Sequence, residues 1–499
     1  MATGVERLGS EAAPAQAPAA RLANLAGGEW RVPEGEWLED VDPASGETAA
    51  LVPLSGAAEV EAAVGAARAA LPGWRAVPPQ RRARAVLRLR EELLRRREEL
   101  VALVTADMGK TLEDADGEVG RGIESVESAA AIPHLLKGET LEGVAEGVDV
   151  ETVRQPVGVV AAITPFNFPA MIPLWFLPYA IACGNTFILK PSERDPRPGA
   201  LIAEIAASID EIPPGVVNLV HGGREAVEAL LDHDGVDAVS FVGQASTARL
   251  IANRCAQTGK RVQALGGAKN SLVVMPDAEL SGAVPAILAS AFGAAGQRCL
   301  AGSVCVAVGD RDRQDAVVGA LAEGARGLVT GAGADPETDV CPMVSPEARE
   351  RIEAALAAAA GDASATVVLD GRCDPGPAGT LIGASIVETS DSGSDLAREE
   401  LFGPLLTVVR AADLEAALAF VNGSRYGNAG AIFTASGGSA RRYREGAEAG
   451  MLGVNIGVPA PVAWFPFAGW KDSCDGDLHA NGTDAVDFYT RKKVVTSRW

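Results

Sequence analysis

The sequence predicts an α/β protein built on parallel sheets with helices on both faces. Three observations carry that prediction. Short apolar strands alternate with helical segments from Gly158 to Ala256, and a second α/β region runs from about Leu272 to Asn455. Extended, valine-rich stretches lie near Val148 to Val160 and again from Val486 to Val495.

Taken in order, Met1 to about Ala20 is rich in Ala and Pro without the apolar core of a signal peptide, so it reads as a disordered leader. Helical patterns follow over Ala57 to Leu71 and Pro79 to Met108, the second stopped by Gly109. A third spans Glu113 to Ile132, with Ile123, Val126 and Ala130 on one face. The arginine run from Arg81 to Arg97 carries Glu91, Glu92, Glu98 and Glu99 within helical reach, and Val86, Leu89 and Leu93 form an apolar stripe. That pattern describes a solvated amphipathic helix rather than a nucleic-acid patch.

Around Gln155-Pro156 the period changes to that of strands, in the manner of a hairpin. Strands are then expected at Gly158 to Thr164, Thr186 to Lys190, Val216 to Val220 and Ala238 to Val242. Helices are expected between and after them, at Pro173 to Ala182, Pro198 to Ser208, Ala226 to Leu231 and Thr247 to Ala256.

A chain of 499 residues is too long for one core, so two or three domains are expected. The net charge of -22 repels phosphate backbones and argues against nucleic acid as a partner. Seven cysteines without paired spacing fit reduced thiols in a cytoplasm. Four histidines form no HxxxH group, so no metal site is expected. No apolar run approaches the roughly 20 residues that span a bilayer, and no membrane association is expected.

Four segments could carry chemistry. Gly296-Gln297-Arg298-Cys299-Leu300-Ala301-Gly302 places a cysteine among small residues, where a thiolate could act as nucleophile. A cysteine taken alone is more often an inert buried thiol. Ile163-Thr164-Pro165-Phe166-Asn167-Phe168-Pro169 closes a predicted strand, at the edge where doubly wound sheets bind ligands. An Asn167 amide held there can donate to a developing oxyanion. Lys190 and Glu193 end the next strand and suit the ribose hydroxyls of a dinucleotide, Glu193 disfavouring a 2′-phosphate. Glu399-Glu400-Leu401-Phe402-Gly403-Pro404 offers a second carboxylate and an aromatic ring.

In this order and spacing the four segments resemble the aldehyde dehydrogenase superfamily from Leu25 to Trp499, including Phe467-Ala468-Gly469-Trp470-Lys471 near the end. The resemblance implies a three-part fold. A Rossmann-type NAD domain would take residues 21–143 and 161–264, an α/β catalytic domain 265–460, and a small β oligomerisation element 144–160 and 475–499. It implies a homodimer or homotetramer. It also implies NAD held by Thr164, Phe166, Lys190, Glu193, Arg194, Gly243, Gln244, Gly266, Glu400 and Phe402. Gln244 and Ala248 stand where the family usually has Ser and Gly. Cys299 would attack an aldehyde, Asn167 and a backbone N–H would hold the oxyanion, and a thioacyl enzyme would follow hydride loss.

The glutamate base of hydrolytic members is missing. In Gln263-Ala264-Leu265-Gly266-Gly267-Ala268-Lys269-Asn270 its place falls to Ala264 or Leu265, neither of which can activate water. The Gly-Ala-Lys-Asn part resembles the CoA-acylating methylmalonate-semialdehyde dehydrogenases, as do Val274-Met275-Pro276-Asp277-Ala278 and Tyr489-Thr490-Arg491-Lys492-Lys493. That resemblance implies CoA as co-substrate and an anionic aldehyde whose carboxylate meets Arg121 and Arg298. Phe168, Trp464 and Phe465 would line the substrate pocket. Two alternatives remain at this level. One makes a free acid from another anionic aldehyde, carboxylate or phosphonate, with Asp477 relaying a proton to water. The other is a non-catalytic scaffold, favoured only by Gln244 and Ala248.

Overall fold

A computed structural model describes residues 19–499. Apart from its last two residues, the expected leader lies outside the described residues. Ala20 itself opens a short strand, Ala20–Arg21.

The first large sheet has eight strands. Their spatial order is Cys474–Asp475, Arg261–Leu265, Ala238–Val242, Val159–Ile163, Thr186–Lys190, Val217–Leu219, Asn24–Ala26, Glu29–Arg31. The five inner strands from Arg261–Leu265 to Val217–Leu219 run parallel. Val159–Ile163, Thr186–Lys190 and Ala238–Val242 are buried at every position, because helices cover both faces. Helices Ala57–Ala76 and Ala245–Gln257 supply Val60, Val64, Ala248 and Ile251 to one face. Met171–Ala182 and Arg197–Ala207 pack on the other, backed by Leu112–Ala129.

The chain runs outward from Val159–Ile163 through Thr186–Lys190 to Val217–Leu219. It then returns to the other flank at Ala238–Val242, where Ile163 pairs with Phe241. The strand order therefore reverses between these two neighbours. A crevice forms outside their carboxyl ends.

The second sheet has seven strands, in the order Ala365–Leu369, Ser385–Thr389, Leu405–Ala411, Gly302–Val308, Asn270–Val274, Ala429–Phe433, Met451–Val454. All pairings are parallel except the one at the Ala365–Leu369 edge. A third sheet joins Thr490–Arg498, Val148–Pro156 and Thr140–Ala145, with Thr490 opposite Pro156 and Arg498 opposite Val148.

Three expectations need correction. The strand expected from Val486 begins at Thr490, because Gly482–Phe488 is a helix that buries Val486 and Phe488. The helix expected over Pro79 to Met108 divides into Pro79–Arg95 and Arg97–Met108. At the break, Arg96 pairs with both Glu99 and Glu204. Nor is the arginine run wholly solvated: Arg82 is buried, and its Nε donates to the Ala182 carbonyl at 2.8 Å. The other arginines of the run do meet carboxylates, as in Arg88–Glu91 at 2.7 Å and Arg90–Glu127 at 2.5 Å. Among the described residues no helix is long and apolar enough to cross a membrane, and no three or more His, Cys, Asp or Glu side chains come together so as to hold a metal ion.

Candidate active site

Cys299 follows a backbone turn that ordinary residues avoid. Helix Leu280–Phe292 ends, and Ala294, Ala295 and Gly296 then adopt φ of 50°, 51° and 68°. Left-handed alanines are costly, so the surroundings must hold them. Ala294 N–H donates to Asp114 Oδ2 at 2.9 Å, and Gln297 N–H to the Ala294 carbonyl at 3.0 Å. The buried Gln297 amide oxygen accepts from Val344 N–H at 3.0 Å. Gly296 is required here, since a Cβ would fall 2.4 Å from the Gly403 carbonyl oxygen.

Two cavities meet at this turn. One, of about 510 Å³, is lined by Lys110, Arg121, Phe168, Trp175, Arg298, Val458, Pro461 and Phe467, among others. The other, of about 350 Å³, is lined by Phe166, Asn167, Arg194, Gly243, Gln244, Gly266, Glu400 and Phe402, among others. Cys299 is the single described residue that lines both. Neighbours in sequence divide between them: Asn167 faces the smaller and Phe168 the larger. Burial, then the Glu400 charge, pushes the Cys299 thiol up to about 12, against its own and Leu300's backbone N–H groups and Lys110. The resting group is therefore a thiol.

On the side of the smaller cavity, Asn167 is buried and its Nδ2 donates to the Gln297 carbonyl at 3.1 Å. Phe166 and Phe402 meet edge to face at 5.9 Å. Glu400 Oε1 accepts from Ala268 N–H at 2.9 Å. Burial lifts its carboxyl to about 7, opposed by that N–H and by Lys269. Gly267 has to be glycine for this, because a Cβ would lie 2.2 Å from Glu400 Oε2.

Gln244 precedes helix Ala245–Gln257 and lines the cavity, whereas Ala248 packs in the core beneath. Lys190 Nζ meets Glu193 Oε2 at 2.7 Å. Burial alone would raise the Glu193 carboxyl, but Lys190, together with a backbone N–H and Arg194, holds the group below its ordinary value. Lys190, Glu193 and the buried Thr164 line neither cavity.

On the side of the larger cavity, Arg121 projects from helix Leu112–Ala129. It meets Glu124 at 2.7 Å and the Pro461 carbonyl. Arg298 donates to the Ala289 and Ser290 carbonyls and lies 3.6 Å from Asp114. Trp464 and Phe465, 56% and 63% exposed, line neither cavity. Trp175 and Phe467, in contact at 4.7 Å, supply the aromatic wall instead. Ala264 and Leu265 are buried in their strand, and Asp477 lines neither cavity.

Sequence reasoning missed two other features. Lys110 and Glu118 form a fully buried pair at 2.5 Å, with Lys110 Nζ 3.8 Å from the centre of the Phe168 ring. Glu118 also accepts from Ala170 and Met171 N–H at 2.9 and 3.0 Å, capping the start of helix Met171–Ala182. The second is an open cleft of about 640 Å³ between helices Arg224–Asp232 and Ala245–Gln257, where Leu250 is exposed.

The chain matches the aldehyde dehydrogenase family over residues 30–495. It is 47% identical to malonate-semialdehyde dehydrogenase 1 of Geobacillus kaustophilus over 481 residues, covering 96% of this chain and 98% of the relative. Malonate-semialdehyde dehydrogenase of Pseudomonas aeruginosa is 45% identical, with 96% of each chain covered. Among solved structures, methylmalonate-semialdehyde dehydrogenase from Oceanimonas doudoroffii superposes with a TM-score of 0.93 at 42% identity, covering 96% of this chain and 98% of its own. A putative methylmalonate-semialdehyde dehydrogenase from Sinorhizobium meliloti, complexed with NAD, gives 0.94 at 41%, covering 97% and 99%. The family match takes in the five inner parallel strands of the first sheet and the whole of the second, and the chain belongs to the aldehyde dehydrogenase family.

Proposed function

We propose that this chain oxidises malonate semialdehyde, or its methyl homologue, with NAD and passes the acyl group to CoA. The observation that carries the reading beyond the family is the end of strand Arg261–Leu265. Ala264 and Leu265 leave no carboxylate to activate water. The names of the relatives agree with it.

The residues present fit a dinucleotide. The crevice lies outside the carboxyl ends of the parallel strands, Gly243 and Gly266 bare their backbone to it, and Glu193 stays ionised beside Lys190. Glu400 would hold the nicotinamide ribose, Phe402 the ring, and the Leu250 cleft the adenine. When bound, NAD supplies the acceptor for the hydride. Ala248 packs into the core, so it takes no space from that site.

Cys299 Sγ, once deprotonated, attacks the aldehyde carbon. Asn167 Nδ2, already oriented by the Gln297 carbonyl, donates to the oxygen that becomes negative. Arg121 and Arg298 hold the substrate carboxylate in the larger cavity. Loss of hydride leaves a thioester on Cys299. Loss of CO₂ from its β-carboxylate leaves the acetyl or propionyl group that the CoA thiol then takes.

The exposed strand Thr140–Ala145 leaves a sheet edge free, which favours a homo-oligomer. All seven cysteines are unpaired, which fits a cytoplasmic setting. The deciding experiment is product analysis with and without CoA. Acetyl-CoA is expected from malonate semialdehyde, with turnover that collapses when CoA is omitted. Free acid formed at an undiminished rate would overturn the proposal.

A further inference from the structure

Passing an acyl group to a thiol poses a proton problem. A CoA thiol near neutral pH is mostly protonated, and only its thiolate attacks a thioester well. The position that serves water in hydrolytic relatives holds no base here, so another group has to take that proton. Most carboxylates around the larger cavity are committed. Glu118 is locked to Lys110 at 2.5 Å, Glu124 to Arg121 at 2.7 Å, and Asp114 holds Ala294 N–H and faces Arg298.

Glu400 differs. It is partly buried and lines the smaller cavity with Cys299, yet no cation lies in salt-bridge contact with it among the described residues. One of its oxygens is fixed by Ala268 N–H at 2.9 Å. The other faces Gly267, where the missing Cβ leaves it room.

We propose that Glu400 is the base that accepts the proton of the CoA thiol during acyl transfer from Cys299. The inference rests on CoA being the acceptor. In the step, Glu400 takes the thiol proton and the CoA sulfur bonds to the thioester carbon. The carbon–sulfur bond to Cys299 then breaks, and Cys299 leaves with the electron pair and regains the proton from Glu400. Nothing is oxidised or reduced. The reverse reaction, acylation of Cys299 by an acyl-CoA, uses the same proton path.

The surroundings of Glu400 suit that work. Burial drives its carboxyl up, and Ala268 N–H, then Lys269, Arg351 and Arg425, pull it back, leaving it at about 7. Such a group can both take and return a proton at neutral pH. Cys299 and Tyr426 are the titratable neighbours whose own protons its charge holds on. Lys269 is fully buried with no hydrogen-bond partner for Nζ, and burial brings it down to about 8. It acts on Glu400 as a positioning charge.

The test removes NAD from the reaction. Purified enzyme is mixed with acetyl-CoA and isotopically labelled CoA, and exchange of label into acetyl-CoA is followed from pH 5.5 to 9. Wild type should exchange through acetyl-Cys299, with a rate that rises through an inflection near pH 7. Glu400→Gln should slow exchange about 100-fold and abolish the inflection, while Glu400→Asp should retain an inflection. Lys269→Met should move it to higher pH, because a cation that favours the carboxylate is lost. Glu400→Gln exchanging at the wild-type rate and profile would overturn the assignment. So would an unmoved inflection in Lys269→Met, which keeps the idea testable should Glu400→Gln fold poorly. Wild type that shows no exchange would instead refute CoA as acceptor, a different failure. Cys299→Ala gives the background rate.

Discussion

Asn428 donates to the carbonyl oxygen of Cys299 at 2.9 Å, so the Cys299 peptide is tied to a residue 129 positions away. Asn270 donates to the same oxygen at 2.9 Å and to the Ala301 carbonyl at 2.9 Å. Both asparagines sit at the amino-terminal ends of neighbouring strands of the second sheet, Asn270–Val274 and Ala429–Phe433. Asn428→Ala leaves one donor on that oxygen and should cost about 1 kcal/mol of stability. The Asn270→Ala, Asn428→Ala double variant orphans the carbonyl and should lose more than the sum of the singles. Chemical denaturation and kcat/KM of the three variants provide the check, and strict additivity would show that the two donors act independently.

The Lys110–Glu118 pair is out of water altogether, so breaking it exposes neither charge to solvent. Lys110→Met should destabilise the fold by about 3–5 kcal/mol by leaving Glu118 buried and unpaired. Glu118→Gln should do the same and loosen the start of helix Met171–Ala182 as well. Replacing both with apolar residues should recover part of the loss. Urea unfolding of the set measures it, and a single variant as stable as wild type would contradict the account.

Arg121 faces the larger cavity from a helix, held by Glu124 and Pro461. Arg121→Leu should raise KM for malonate semialdehyde at least about 10-fold and barely affect propanal, since only the anionic aldehyde loses a partner. Equal losses on both substrates would mean the variant had disturbed the cavity instead.

Glu400 holds the Cys299 proton on as well as lying beside it. Alkylation of Cys299 by iodoacetamide should therefore rise across the alkaline range in wild type, and at pH 8 should run faster in Glu400→Gln. Acyl exchange in the same variant should run slower. Opposite signs separate a charge effect on the thiol from loss of a base, and parallel changes would indicate general disruption.

A buried acidic cluster sets a pH dependence of stability. Asp40 and Asp107 meet Arg197, with Asp195 buried nearby. Burial, and for Asp40 then the Asp107 charge, pushes Asp40 up to about 8 and Asp107 up to about 6. Carboxyls whose folded values are raised keep their protons in the native state after the unfolded chain has released them. Stability from this source is full in acid and is lost as pH climbs from about 4 towards 8. Asp40→Asn should flatten that decline, and melting temperatures of the two proteins at pH 6 and pH 8 will show whether it does.

Much of this architecture could be read in the sequence. Buried parallel strands announce themselves as unbroken apolar runs, so the bounds of Thr186–Lys190 and Ala238–Val242 hold to the residue and those of Val159–Ile163 and Val217–Leu219 to within one. Cys299, Asn167, Glu400 and Phe402 line the smaller cavity together, although they come from segments over 230 residues apart. Charges that change their character on burial were not legible. Lys110 and Glu118 stand eight positions apart on segments that look solvated, and only the packing of Phe168 against Lys110 reveals the pair. Asn428 had no motif to mark it. Trp464 and Phe465 drew attention as aromatics near a loop, yet exposure is decided by how that loop folds back, which composition does not encode. The break at Arg96 escaped for a related reason, since Glu204, the partner that stabilises it, belongs to a distant helix.

Two cavities that share Cys299 alone among the described residues also impose a timetable. Under the proposed chemistry the spent dinucleotide and the incoming thiol compete for the space beside Glu400, so one must depart before the other arrives. Initial rates with CoA and NAD varied together should then give parallel double-reciprocal lines, and added NADH should inhibit most strongly when CoA is scarce.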